Sequence, residues 1–189
     1  MNYKNLIRVT FGIFIVIFSV SNGYCDLPDP AQSTSLYITW EGAEPDKGAS
    51  AWLIKTFVDK NAAFKLISKG DVDKNGIPFD VPFSDFRRTH RFTTFDTIRL
   101  KYNIKDESVQ KLSKIIFDLE INTWRQPIAS ETPYVKQAFN DLRDRFKPKL
   151  IPLNCQIAFF DDIVKLIKRN GIQRISPPTI CVTLAESYK

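Results

Sequence analysis

The stretch Asp85-Phe86-Arg87-Arg88-Thr89-His90-Arg91-Phe92-Thr93-Thr94-Phe95-Asp96 gathers three arginines and the only histidine of the chain within five positions. It runs directly into Thr-x-x-Asp, where the Thr93 hydroxyl can cap a helix while Asp96 faces the open amides of the first turn. A helix N-terminus carries unpaired N–H groups and roughly +0.5 of a charge, so guanidinium groups and an imidazole beside it make an anion seat. The competing reading is an arginine cluster that is solvated or paired with the chain's own carboxylates. Two further groups hold polar residues that periodicity does not explain: Asp46-Lys47 with Ser50, and Asp118-Leu119-Glu120-Ile121-Asn122 ahead of Trp124. In a helix Asp118 and Asn122 share a face and Glu120 points nearly opposite, so one of them can meet the arginines. A Glu120–Arg88 ion pair that only fixes packing is the plainest form of that meeting.

These groups give two candidate sites. The first binds a tetrahedral oxyanion through Lys47, Ser50, Arg87, Arg88, His90 and Thr93, because guanidinium forks and open amides both donate to such oxygens. A site of this kind gives His90 a pH signature, with binding of a dianion taking up a proton and affinity rising as pH falls from about 8 to 6. The second is a metal-assisted hydrolase site from Asp46, His90, Asp118 and Glu120, which have acceptable ligand types but no diagnostic spacing. Nucleophilic catalysis has little support, since no Gly-x-Ser-x-Gly elbow joins Ser50 to His90. Phosphate-loop and dinucleotide fingerprints are absent, and no cofactor is expected. Asp71, Asp73, Asn75 and Gly76 resemble the start of a calcium loop, but Pro82 stands at its twelfth position in place of Glu.

The elements that must position these residues follow from pattern and punctuation. Leu36–Trp40 is β-branched and aromatic and predicts a strand. After Pro45, with Asp46 as N-cap, Ala49, Trp52, Leu53, Thr56 and Phe57 recur at helical spacing and predict an amphipathic helix to about Asp59. Residues 63–68 alternate as a second strand, and the prolines of Ile77-Pro78-Phe79-Asp80-Val81-Pro82 suit an extended edge. Helices are expected over 94–102, over 107–124, from a Thr132-Pro133 start to Pro148, and through Ile157, Phe160, Val164 and Ile167 to Asn170-Gly171. The tail beyond is expected to be irregular. Short strands followed by helices give an α+β class, a mostly helical single domain with a small sheet over residues 36–189.

The start of the chain reads as a cleaved signal peptide, residues 1–23, with Lys4 and Arg8, the apolar run Phe11–Phe18, and small Ser21 and Gly23 before the cut. That run is too short to span a bilayer, so no stable membrane insertion is expected after cleavage. Residues 24–35, with Pro28 and Pro30, form a linker. Cleavage removes Lys4 and Arg8 and no acid, leaving 25 Lys and Arg against 21 Asp and Glu. That modest excess is not the basic stripe of a nucleic-acid binder. A periplasmic or secreted place permits a Cys155–Cys181 bridge, which leaves Cys25 free.

Several blocks in one order resemble a known family. They are Trp40-Glu41-Gly42, Glu44-Pro45-Asp46-Lys47, Ala49 to Lys55, Ile77 to Pro82, Arg88-Thr89-His90 with Thr94-Phe95-Asp96, and Asp118 to Trp124. Together they are similar to the chromate resistance exported proteins, and to the C-terminal domain of chromate-responsive regulators, from about Trp40 to Trp124. The resemblance implies a link to chromate or a similar tetrahedral oxyanion and an exported location. Cytosolic relatives carry a cysteine where this chain has Ser50 and another near Thr93-Thr94. Their absence favours binding over thiol reduction.

Overall fold

The computed structural model describes residues 35–147, 150–169, 171–172 and 174–187. The expected signal peptide and nearly all of the expected linker lie outside these residues, as does Cys25. Three parallel strands, β1 (Leu36–Trp40), β2 (Ala63–Ile67) and β3 (Ile77–Pro78), form a sheet of order β2-β1-β3. Registers pair Leu36 with Ala63 and Tyr37 with Ile77. Only two residues of the extended 77–82 segment pair in the ladder, as expected for a proline-punctuated edge. Phe79 N–H then donates to the Ile38 carbonyl at 2.9 Å before the chain turns away.

The described residues also form six α-helices: α1 (Pro45–Leu53), α2 (Thr94–Lys101), α3 (Glu107–Glu120), α4 (Thr132–Phe146), α5 (Leu153–Lys168) and α6 (Thr179–Glu186). Pro45 suits the first position of α1, where its missing N–H costs nothing. The helix opens when Gly48 N–H donates to the Glu44 carbonyl, so Glu44, not Asp46, is the N-cap residue. A π-helical turn, Ile54–Val58, carries the helix on to Asp59. In contrast to the expected amphipathic helix, every residue from Asp46 to Leu53 is buried, the polar ones included. The reason is that α1 packs against α2, α3 and α5 at once. At Gly48 a β-carbon would lie 2.8 Å from the Gln156 Cβ and 3.0 Å from the Phe160 ring, so only glycine allows α1 and α5 this close.

The helices fill one core. Phe139, Phe159 and Phe160 pack across α4 and α5 with centroids 5.2–6.0 Å apart, Phe159 edge to face with both others and Phe139 tilted against Phe160. Helix α3 starts on an Asp106 cap that accepts from Ser108 and Val109 N–H. It ends at Glu120, four residues before the expected Trp124. There Ile121 and Asn122 N–H both return to the Phe117 carbonyl, and the Asn122 amide donates to Asp118 and to the Gln126 carbonyl. Thr132 is the first residue of α4 rather than its cap, because its hydroxyl donates to Asp118 at 2.9 Å.

The expected irregular tail contains α6, and Cys155 at the start of α5 is disulfide-bonded to Cys181 within it. The eight residues of α6 are too few to be helical unaided, so tertiary attachment sustains them. The bridge closes a loop of 26 residues. Replacing both cysteines by serine should lower unfolding stability by about 3 kcal/mol. Urea titration of the oxidised wild type, the reduced wild type and the double variant checks this, and the last two should coincide.

Candidate functional site

The sheet order determines where a site can form. From β1 the chain crosses to β2 on one side, while β3 lies on the other, and in parallel sheets a crevice opens beyond the carboxyl ends where connections diverge. A cleft of about 390 Å³ lies there, bounded by Trp40 at the end of β1, Lys69 past β2 and Asp80 past β3. Glu44 and Lys47 enter from the start of α1, and Arg87 and Arg88 from the segment before α2. Gly42 makes the first turn possible. Its φ is +150°, and a β-carbon would come within 2.8 Å of the Glu44 carboxylate and the Lys47 ammonium.

The floor of this cleft is ionic, and its lysine is almost dry. The Lys47 side chain is 3% exposed, with Nζ 2.5 Å from Glu44 Oε2 and 4.0 Å from Asp80 Oδ2. Asp80 sits at φ +52°, in the left-handed region that a side chain adopts only under constraint. The constraint is visible: its N–H donates to the Phe86 carbonyl at 2.8 Å, and its Oδ1 accepts from the Thr94 hydroxyl at 2.8 Å. Arg88 pairs with Glu120 Oε2, while Glu120 Oε1 accepts from Asp46 N–H at 3.2 Å. Arg87 donates to the Ser84 carbonyl at 2.6 Å.

Behind the floor lies Asp46, 1% exposed. Its Oδ2 accepts from Thr94 N–H at 2.7 Å and its Oδ1 from Phe95 N–H at 2.9 Å, with the Ser50 hydroxyl donating to Oδ1 at 3.4 Å. Thr93 caps α2 as its spacing predicts, accepting from Asp96 N–H at 3.0 Å. An anion does sit at the start of α2, but it is the protein's own carboxylate, supplied from a neighbouring helix. Burial, with the Asp80 charge adding to it, pushes Asp46 up to about 7 against the pull of the Phe95 and Thr94 amides. Burial also pushes Asp80 up to about 6, opposed by the Thr94 hydroxyl and the Lys47 ammonium. Burial works against the charge of Arg88, yet Glu120, Asp46 and Asp80 outweigh it and raise its pKa.

Of the residues expected for the anion site, Lys47, Arg87 and Arg88 line one cleft, and Ser50 and Thr93 are buried behind it. His90 is set apart. It is exposed in the turn closed by Thr89 N–H and the Phe92 carbonyl, and it lines a different hollow with Phe117, Asn122 and Trp124. The four residues of the metal alternative are likewise divided. Asp46 and Glu120 meet. Asp118 instead accepts from Ala129 N–H, the Thr132 hydroxyl and the Asn122 amide at 2.7–2.9 Å, anchoring the loop after α3. Among the described residues no group of three or more His, Cys, Asp or Glu side chains is arranged to hold a metal. Sequence reasoning passed over Glu44, Lys69 and Asp80. Asp80 alone had a signal, an acid set between apolar residues in a proline-flanked segment.

The carboxyl pair gives stability a defined pH dependence. Groups with folded pKa values of about 7 and 6, against an ordinary 3.8, contribute stability that is fully present below about 3.8 and lost as pH rises through 6 to 7. The carboxylates held low, such as Asp106 and Asp118, act below that window. Urea unfolding should therefore show the wild type more stable at pH 5 than at pH 8. Asp46→Asn should flatten the difference and cost about 1–3 kcal/mol, since an amide turns one N–H toward a buried backbone donor.

Residues 37–167 match the family described as ChrB, C-terminal domain. Comparison with curated proteins and with solved structures returns no significant match. The matched region runs from β1 into α5 and so contains the whole cleft. It also continues well past Trp124, through α4, where the sequence blocks end. The chain therefore belongs to the ChrB C-terminal domain family, a chromate-resistance family.

Proposed function

We propose that this protein is an exported binding or accessory protein of chromate resistance that holds a tetrahedral oxyanion in the cleft beyond β1, β2 and β3. The observation that carries this reading is the convergence of Lys47, Lys69, Arg87 and Arg88 on one crevice at the divergence point of a parallel sheet. Lys69 and Arg87 have no carboxylate partner among the described residues and are available to a ligand. Arg87, braced on the Ser84 carbonyl, presents its remaining donors in a fork suited to tetrahedral oxygens. Glu44 and Asp80 hold Lys47 at the floor and oppose an incoming anion while they are charged. Protonation of Asp80 near pH 6 reduces that opposition. Binding is favoured over reduction because Cys155 and Cys181 are already joined in a disulfide. The same disulfide supports an oxidising location, in line with the Lys4, Arg8 and Phe11–Phe18 pattern.

Isothermal titration of the protein with chromate, sulfate and phosphate at low salt tests the reading. Affinity for a dianion should rise as pH falls from about 8 to 6, after correction for protonation of the anion itself. Arg87→Ala combined with Lys69→Ala should weaken binding by about tenfold or more, the scale of a lost charge-assisted hydrogen bond. His90→Gln should bind as the wild type does. No heat with any of the three anions at millimolar concentration would sink the proposal.

A further inference from the structure

The turn 89–92 and the loop 121–128 lie side by side, since His90 of the first and Trp124, Arg125 and Ile128 of the second line one hollow of about 420 Å³. They carry three exposed large apolar side chains, one of them a tryptophan. Trp124 is 88% exposed, Ile128 61% and Phe92 44%. Tryptophan is the largest apolar payload a chain has, and single loops seldom leave it in water without a use. Arg91 precedes Phe92 and Arg125 follows Trp124 in the chain, both exposed and without a carboxylate partner among the described residues. No acidic residue lines the hollow. The loop is tied at its base: Asp118 accepts from Ala129 N–H and the Thr132 hydroxyl, and Asn122 bridges Asp118 to the Gln126 carbonyl. A pre-organised surface of this kind loses little entropy when it docks.

We propose that this face, formed by Phe92, Trp124 and Ile128 with Arg91 and Arg125, docks the protein on a membrane surface of anionic lipid. Charge complementarity calls for an anionic partner. The apolar groups stand on the tips of two connections instead of flooring a groove, so they are shaped to enter a headgroup layer rather than to receive a peptide. Aromatic rings flanked by arginine are the composition of a membrane interface. None of the helices of the described chain is long and apolar enough to cross a bilayer, so this contact is peripheral. It is separate from the oxyanion cleft and does not depend on it.

The test is co-sedimentation of the full chain with vesicles of phosphatidylglycerol and phosphatidylcholine in equal parts, and with phosphatidylcholine alone, read together with tryptophan emission. Binding to the anionic vesicles, a blue shift and weakening by added salt are expected. Trp124→Ala should abolish the blue shift while leaving circular dichroism unchanged, since the side chain packs on little. Arg91→Glu with Arg125→Glu should weaken binding by about tenfold or more, as two lost headgroup attractions would. The N-terminal stretch, where still attached, carries Lys4 and Arg8 and would also favour the anionic vesicles, but its binding would ignore Trp124, Arg91 and Arg125. Binding that is unchanged both in Trp124→Ala and in the double arginine variant, or no binding at all, overturns the proposal. Retention on immobilised polyglutamate that depends on Trp124, with no vesicle binding, overturns it in favour of an acidic protein segment.

Discussion

The buried carboxylate of Asp46 at the N-terminus of α2 is the contact on which the site depends. A helix start offers donors that must be satisfied, and a buried charge needs partners. Here each meets the need of the other across 48 residues of sequence, from Asp46 to Thr94. The two helices are thereby held at one angle. Asp46 N–H also reaches Glu120 at the end of α3, and Thr94 reaches Asp80 past β3, so four segments share one hydrogen-bonded knot. Removing Asp46 or Thr94 strands partners that are buried, which makes the knot cooperative rather than a sum of pairs.

This knot explains what the sequence could and could not disclose. The strands 36–40 and 63–67, the Thr93 cap and the helical periodicities of α3, α4 and α5 are local properties, set by side-chain spacing within a few residues, and they were readable. The Arg88–Glu120 pair was also anticipated from charge and helical face. What escaped was non-local. Asp46 has the residue type and the position of an N-cap, and only tertiary structure shows that it caps a different helix. His90 has the chemistry of a ligand, yet the turn after Arg88 carries it to another face. Asp118 looked functional because it sits in a polar run, and it proves to be the anchor of a loop. The tail helix α6 was missed because eight residues carry too weak a pattern. A disulfide and packing hold it, and pattern reading weighs neither.

The topology gives the cleft its character. A parallel sheet of only three strands places the ends of β1, β2 and β3 close enough that Trp40, Lys69 and Asp80 border one small volume. Opposite charges on its floor make it polar without making it strongly cationic, and its net charge depends on which carboxyl groups are protonated. That balance arises from burial, the first cause of the shifts at both Asp46 and Asp80.

Gly48 has a consequence of another sort. It lets α1 lie against Gln156 and Phe160 with no side chain between the helices, and Gln156 in turn donates to the Gly42 carbonyl at 3.1 Å. Lys47, the preceding residue, is thereby tied to the position of α5. On an evolutionary scale the same contact couples three positions. Substitution at 48 is tolerable only with smaller side chains at 156 or 160, so these sites should drift together among homologues.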